Sequence, residues 1–375
     1  MNYRDGFRRM EAAGHFRRRL ADHGRQLARE GRVVHLMEVC GSHTMAIARY
    51  AIRDFLPTGI RLVSGPGCPV CVTDPGYLDA AIELADRGVI VSTFGDMVRV
   101  PGSRSTLAQA RAEGGRVEVC YSPMSALELA RNQPASEVVF LAVGFETTVA
   151  PVIAMLDAAV SQGIGNLSLL TAFKRIPPAL AALISDPGIR IDGLLCPAHV
   201  SAIIGADAYL PFAETHGVAC VVAGFEPLDI LLGLDGLLQQ YLSGKARVDN
   251  QYARVVKPGG NRQALALMDR YLLPGDASWR GLGTIPASAL NLRPEFSRFD
   301  AGNRHGLILQ PGRLNPGCLC GEILKGKLAP EECPLFGGAC HPDRPLGPCM
   351  VSSEGNCAAA FRYGGKVGMA SGVCA

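Results

Sequence analysis

The sequence has no apolar run of the roughly 18 residues that a membrane helix needs, so no membrane span is expected. Its first thirty residues are charged throughout and lack the apolar core of a secretory leader, which points to a cytoplasmic protein. There is no glycine-rich phosphate loop of the Walker type. No Cys-x3-Cys-x2-Cys run occurs, so the usual radical-SAM signature is missing. Aromatic residues make up only 6% of the chain, which fits an Ala/Leu/Val-rich α/β core. The net charge of +3 is too small to indicate a nucleic-acid partner.

Cysteine, by contrast, is plentiful, with thirteen in 375 residues. Cytosolic thiols are normally reduced, so these read as metal ligands or redox groups and not as a disulfide scaffold. Six of them (Cys318, Cys320, Cys333, Cys340, Cys349 and Cys357) crowd one loop-rich stretch near the C-terminus.

Strand-like and helix-like segments alternate over the first two thirds of the chain, as parallel βαβ units require. Val33 to Val39, Ile60 to Val63 and Val89 to Phe94 read as strands, and Val138 to Val143, Leu167 to Thr171, Gly193 to Leu195 and Val218 to Val222 continue the series. Helices are expected over about 7–31, over Met45 to Phe55, and from Pro75, with Asp74 or Thr73 as its cap. The pattern implies an α/β fold of parallel βαβ units that restarts once, giving blocks at 32–133 and 134–245. A basic helical segment at 1–31, carrying Arg8, Arg9, Arg17, Arg18, Arg19, Arg25 and Arg29, is expected to pack on the C-terminal part. Residues 246–375 read as a helical connector (247–273) followed by a loop-rich cysteine domain, too poor in apolar runs to bury a large core. Gly-Phe-Glu occurs at 144–146 and again at 224–226, a three-residue hint of duplication.

Ligands of open α/β sheets bind beyond the carboxyl ends of the strands. Cys40, Cys68, Cys71, Asp96, Glu146, Cys196 and Glu226 all follow predicted strands, which places several of them on one rim. Gly65-Pro66-Gly67-Cys68-Pro69-Val70-Cys71 is a tight turn carrying two thiols, a spacing suited to a redox dithiol or to half a zinc site. No second such pair completes a zinc ribbon. Cys40 precedes a helix, where the dipole favours thiolate, and His43 lies three residues on. Glu146 and His199 are candidate polar site residues or simply satisfied caps. Cys120, Cys220 and Cys374 read as small buried hydrophobes, with Cys196 between the two readings. The C-terminal thiols suit either a 4Fe-4S cluster or tetrahedral zinc.

Several of these stretches resemble the HypD family of NiFe-hydrogenase maturation proteins. They are Cys40-Gly41-Ser42-His43-Thr44, Gly65 to Thr73, Phe94 to Gly102, Gly144 to Thr148, Cys196 to Ser201, and Gly347 to Cys357. The resemblance implies two similar Rossmann-like parallel-sheet α/β domains plus a loop-rich cysteine cluster domain. It implies a scaffold that works with a HypC-type chaperone, on which Fe(II) acquires two cyanides and one carbon monoxide. Cyanide would come from HypE, with HypF upstream, and the product would go to the hydrogenase large subunit. By the same resemblance, Cys40 is the iron ligand and Cys68 and Cys71 the adjacent redox dithiol. Thiolates of Cys40, Cys68 and Cys71 are then expected to form a soft pocket for Fe(II), with His43 tuning or hydrogen-bonding the incoming diatomic ligands. Cys318 or Cys320, with Cys333, Cys340 and Cys357, would hold a 4Fe-4S cluster, leaving Cys349 as a spare thiol. A different class of protein, an iron-sulfur-dependent disulfide reductase without iron cargo, explains the same cysteines. A zinc-stabilised α/β binding protein is a third reading.

Overall fold

The computed structural model describes residues 10–364, with backbone only for 10–13. Arg8, Arg9 and Cys374 lie outside the described residues. Two all-parallel sheets carry the fold. The first has the order β2-β1-β7-β8-β9, from Ile60–Ser64, Val34–Glu38, Gly193–Pro197, Ala219–Ala223 and Val248–Asn250. The second has the order β4-β3-β5-β6, from Val117–Cys120, Ile90–Phe94, Val138–Gly144 and Leu167–Phe173. Every residue of β5 and β8 is buried, as expected of parallel strands covered by helices on both faces.

Both sheets are Rossmann-like and share one strand order, with β2-β1-β7-β8 matching β4-β3-β5-β6. Strand pairing, however, divides the chain differently from the expected blocks 32–133 and 134–245. After β2 the chain leaves the first sheet and builds the second from β3 to β6. It then returns, and β7 pairs with β1 (Met37 opposite Leu194). The Gly-Phe-Glu repeat sits after β5 and β8, which hold different places in the shared order, so it does not mark the correspondence between the sheets.

Local signals set the helix starts. Asp74 accepts from Gly76 N (2.8 Å) with Pro75 in the first turn, and Thr106 and Gln109 form a reciprocal capping box. The N-terminal helix Met10–Arg29 buries Leu20 and Leu27 against the helix Pro227–Ser243 of the first sheet, not against segment 246–375 as expected. Arg19 (2.9 Å) and His23 (2.9 Å) both meet the buried Asp235 on that helix. Arg17 lies over the Phe55 ring at 5.0 Å.

Segment 246–375 also departs from the expected connector. It begins with strand β9, and within 247–273 only Arg262–Tyr271 is helical. An antiparallel hairpin follows, β10 (Leu272–Trp279) with β11 (Gly283–Leu292). Trp279 at its tip stacks on Phe145 at 5.9 Å between centroids, and Arg280 N donates to Val72 O at 2.9 Å. The hairpin thereby ties the second sheet to the dithiol loop of the first. Short helices, Cys320–Leu324, Pro348–Val351 and Asn356–Tyr363, complete the cysteine-rich part. Among the described residues no helix is long and apolar enough to cross a membrane.

Candidate functional site

The dithiol loop and the cysteine-rich tail share one apolar cluster with residues of β1, β7, β8 and the hairpin. It contains Met37, Cys68, Cys71, Phe145, Ile176 and Trp279 together with Cys320, Cys333, Cys340, Cys349 and Cys357. This is where strand-end chemistry and the cysteine-rich tail come together.

Cys40 is the N-cap of the helix Gly41–Arg49, with extended backbone (φ −153°, ψ 130°). The dithiol loop is pressed against it. Gly41 N donates to Gly67 O at 3.0 Å, and a Cβ on Gly67 would collide with the Cys40 backbone. Only glycine allows the loop this close. Cys68 and Cys71, both buried, are joined as a disulfide with Cα atoms 5.3 Å apart. In this oxidised form neither sulfur offers a thiolate to a metal.

The expected dipole-favoured thiolate at Cys40 meets a stronger opposing effect. Burial, and then the Glu354 carboxylate, push the Cys40 thiol up to about 12, against the backbone donors of Ser42 and His43. Cys40 is therefore a thiol at neutral pH in the free chain. Glu354 reaches the site because Ser42 Oγ donates to its Oε1 at 2.7 Å. Ser352, two residues earlier, donates to Asp96 Oδ2 (3.0 Å) at the end of β3. The segment 352–354 thus bridges the rims of the two sheets.

Beneath Cys40 lies Glu38, fully buried at the end of β1. It accepts from Thr44 Oγ1 (2.6 Å) and Cys40 N (3.3 Å), and the Arg53 guanidinium stands 3.9 Å away. Burial still pushes its carboxyl up to about 7.

His43 is completely buried, and burial lowers its pKa to about 4, so the ring is neutral. Its Nε2 donates to Gly224 O at 2.8 Å, while Nδ1 has no partner. In that tautomer Nδ1 can only accept a hydrogen bond, so the ring cannot donate to a diatomic ligand from that atom. The ring packs on Phe225 (4.7 Å), and the exposed His199 packs on the same Phe225 (4.1 Å).

Other strand-end candidates are taken up by the buried core or by helix caps. Cys196 lies within β7, fully buried beside Cys220, and both belong to the core. Cys120 is also buried, its Sγ 3.5 Å from Thr93 O. Glu146, at the start of the helix Glu146–Ser161, accepts from Ile176 N (3.0 Å) and so caps the helix Ile176–Ile184. Glu226 caps the helix Pro227–Ser243 at its backbone.

The tail cysteines do converge. Cys318, Cys320, Cys333, Cys340, Cys349 and Cys357 line a single cavity with Leu335, Phe336 and Met350. Mutual proximity and burial raise the Cys318 and Cys357 thiols far above their ordinary value, Cys318 chiefly through Cys320. Ionising several of them together therefore calls for a cation among them. Among the described residues no group of three or more potential ligands stands in metal-holding geometry. The sulfurs form the lining of a cavity, not a closed coordination shell.

A family model described as HypD, hydrogenase formation hypA family, matches residues 15–364. The chain belongs to the HypD family. It is 48% identical over 372 residues to the hydrogenase maturation factor HypD of Azotobacter vinelandii, covering 97% of each chain. It is 43% identical over 373 residues to the hydrogenase maturation factor HypD of Cupriavidus necator, again 97% of each. With that of Escherichia coli K12 it shares 43% over 334 residues, 88% of this chain and 90% of the relative. It is thus a hydrogenase maturation factor of the HypD type.

Two residues at the site, Glu38 and Glu354, are not singled out by the sequence, and a third, Cys349, has a different place from the one expected. Glu38 had a readable signal, a lone acid ending a buried strand two residues before Cys40. Glu354 lies inside the Gly347 to Cys357 stretch, but its approach to Ser42 depends on the tertiary fold. Cys349, regarded as spare, lines the same cavity as the other five thiols.

Proposed function

We propose that this chain is the scaffold on which, together with a HypC-type chaperone, an iron(II) substrate acquires two cyanides and one carbon monoxide. The cyanides come from a HypE-type donor charged by a HypF-type protein. The finished group passes on to a hydrogenase large subunit, and the work takes place in the cytoplasm. Family membership supports the reading. The observation that carries it is the packing of Cys40 directly against the Cys68/Cys71 loop, with Glu354 alongside.

In this reading Cys40 Sγ is the chain's ligand to the iron substrate, a soft donor for a low-valent metal. Forming the iron–sulfur bond releases the thiol proton, and Glu354 is the nearby carboxylate placed to receive it. Glu38 and Thr44 fix the start of the helix behind Cys40 through their hydrogen bonds. Opening the Cys68–Cys71 disulfide takes two electrons and two protons from a reductant of the thiol or iron-sulfur class, and the dithiol so formed adds two soft donors to the same rim. Neutral His43 holds the Gly224–Phe225 turn and so positions His199 at the exposed edge.

The tail cavity fits a resident 4Fe-4S cluster by its donor chemistry, since six soft thiols line an apolar space. Four of Cys318, Cys320, Cys333, Cys340, Cys349 and Cys357 would hold the cluster, which when bound supplies single electrons.

The test is anaerobic co-purification with a HypC-type chaperone, followed by iron analysis beyond the cluster's own iron. The parent chain should carry about one additional iron per complex and Cys40→Ser should carry none. Equal iron in both would remove Cys40 from the site.

A further inference from the structure

Arg280 is not explained by the assembly site. It is 3% exposed, and its Nε and Nη1 have no hydrogen-bond partner. A buried guanidinium normally has its donors paired, because leaving them bare is costly. Among the described residues no ion pair reaches Arg280, Arg104 or Arg313. The Arg280 backbone is held firmly. Its N–H bonds Val72 O, and a Cβ on the next residue, Gly281, would run into Gly321.

These three arginines share one cavity of about 320 Å³ with Ser105, Thr106 and Asn315. They come from three separate segments, which are the loop after β3, the hairpin turn and the tail. No carboxylate lines the cavity. The nearest acids are already engaged. Asp79 accepts from Ser103 N (2.8 Å) and Ser103 Oγ, and that Oγ in turn accepts from Arg313 N (2.8 Å). Glu322 lines the adjoining cavity on Arg280's other side and pairs with Lys325 at 3.1 Å. The Arg280 charge also acts on Cys318 and Cys349 across that side.

We propose that this cavity is a binding site for a small oxyanion of the phosphate or sulfate class, held on the guanidinium groups of Arg280, Arg104 and Arg313. Three cations with no ion-pair partner, one of them desolvated, favour an anion. Guanidinium forks match the oxygens of a tetrahedral anion and can engage it from several directions. A planar monoanion such as acetate can satisfy fewer of them. The proposal rests on the cavity alone and does not depend on the iron-assembly reading.

The test titrates inorganic phosphate, sulfate, acetate and chloride, at matched ionic strength, into the full chain. Thermal unfolding and calorimetric binding are the readouts. Phosphate and sulfate should raise the melting temperature saturably, with acetate and chloride well below them. The double variant R104A/R313A changes only exposed side chains. It should melt like the parent in chloride yet bind phosphate at least about tenfold more weakly, as loss of charge-assisted bonds requires. Arg280→Gln should abolish the phosphate effect, and if that variant does not fold the double variant decides alone. Equal effects of phosphate and chloride would overturn the site. So would undiminished phosphate binding by the double variant, and acetate equal to phosphate would overturn the assigned class.

Discussion

Ser42 Oγ donates to Glu354 Oε1 at 2.7 Å, across 312 positions of the chain. This bond fixes the cysteine-rich tail beside Cys40 and brings a carboxylate to a thiol that burial already keeps protonated. Replacing Glu354 with Gln keeps an acceptor for Ser42 and removes the charge. The alkylation profile of Cys40, followed site by site with mass spectrometry, should move to lower pH. It should remain above the ordinary thiol value of 9.0, because burial is the larger cause. An unchanged profile would mean that Glu354 does not act on Cys40.

The contact between Gly67 and Cys40 makes a packing prediction. Gly67→Ala puts a methyl into the Cys40 backbone and should cost about 1–3 kcal/mol, typical of overpacking. Gly165→Ala is the control, since nothing lies within 4 Å of its added Cβ. Thermal unfolding of the two variants should separate them clearly. Equal melting temperatures would show that the loop gives way freely.

Two buried carboxyls set a pH dependence of stability. Burial raises both Glu38 and Glu146 from 4.5 to about 7 in the folded chain. The unfolded chain loses these protons first, so between pH 4.5 and 7 the folded state binds more protons. Their contribution is complete below pH 4.5 and is lost as the pH rises through about 7. Glu146→Gln, away from Cys40, should flatten this fall by on the order of 3 kcal/mol at most. Denaturation midpoints across that range provide the check. A slope identical to the parent's would remove Glu146 as its source.

The tail cavity predicts which thiols matter. After anaerobic reconstitution, Cys333→Ala and Cys340→Ala should lose most bound iron and acid-labile sulfide, and Cys120→Ala should retain both. Gly347→Ala should resemble the cysteine variants, because its Cβ would stand 2.9 Å from Cys318 Sγ. Full iron and sulfide in Cys333→Ala would exclude that thiol as a ligand.

Much of the local architecture is legible in the residues themselves. Asp74-Pro75 and Ser122-Pro123 announce helix starts, and the buried β-branched runs mark the strands. The pairing of β1 with β7 is not legible, because strands buried on both faces look alike and carry no mark of their neighbour. The hairpin Leu272–Leu292 is obscured by Pro274, Pro286 and the irregularity between Gly275 and Ala277, which break the alternation a strand would show. At the site, Cys40 and the Cys68/Cys71 loop are readable because each follows a strand. Its protonation state is not readable, because burial and Glu354 oppose the helix dipole and only the fold brings them there. Cys196, whose strand-end position leaves both a rim and a core reading open, lies in the core beside Cys220.

The most direct test of Cys40 as the iron ligand is infrared absorption in the cyanide and carbonyl stretching region. The sample is the anaerobically purified complex of this chain with a HypC-type chaperone. The parent chain and Cys196→Ala should show the bands, and Cys40→Ala should show none. Bands at full intensity in Cys40→Ala would contradict the iron-ligand assignment. Their absence from the parent would favour a disulfide reductase without iron cargo.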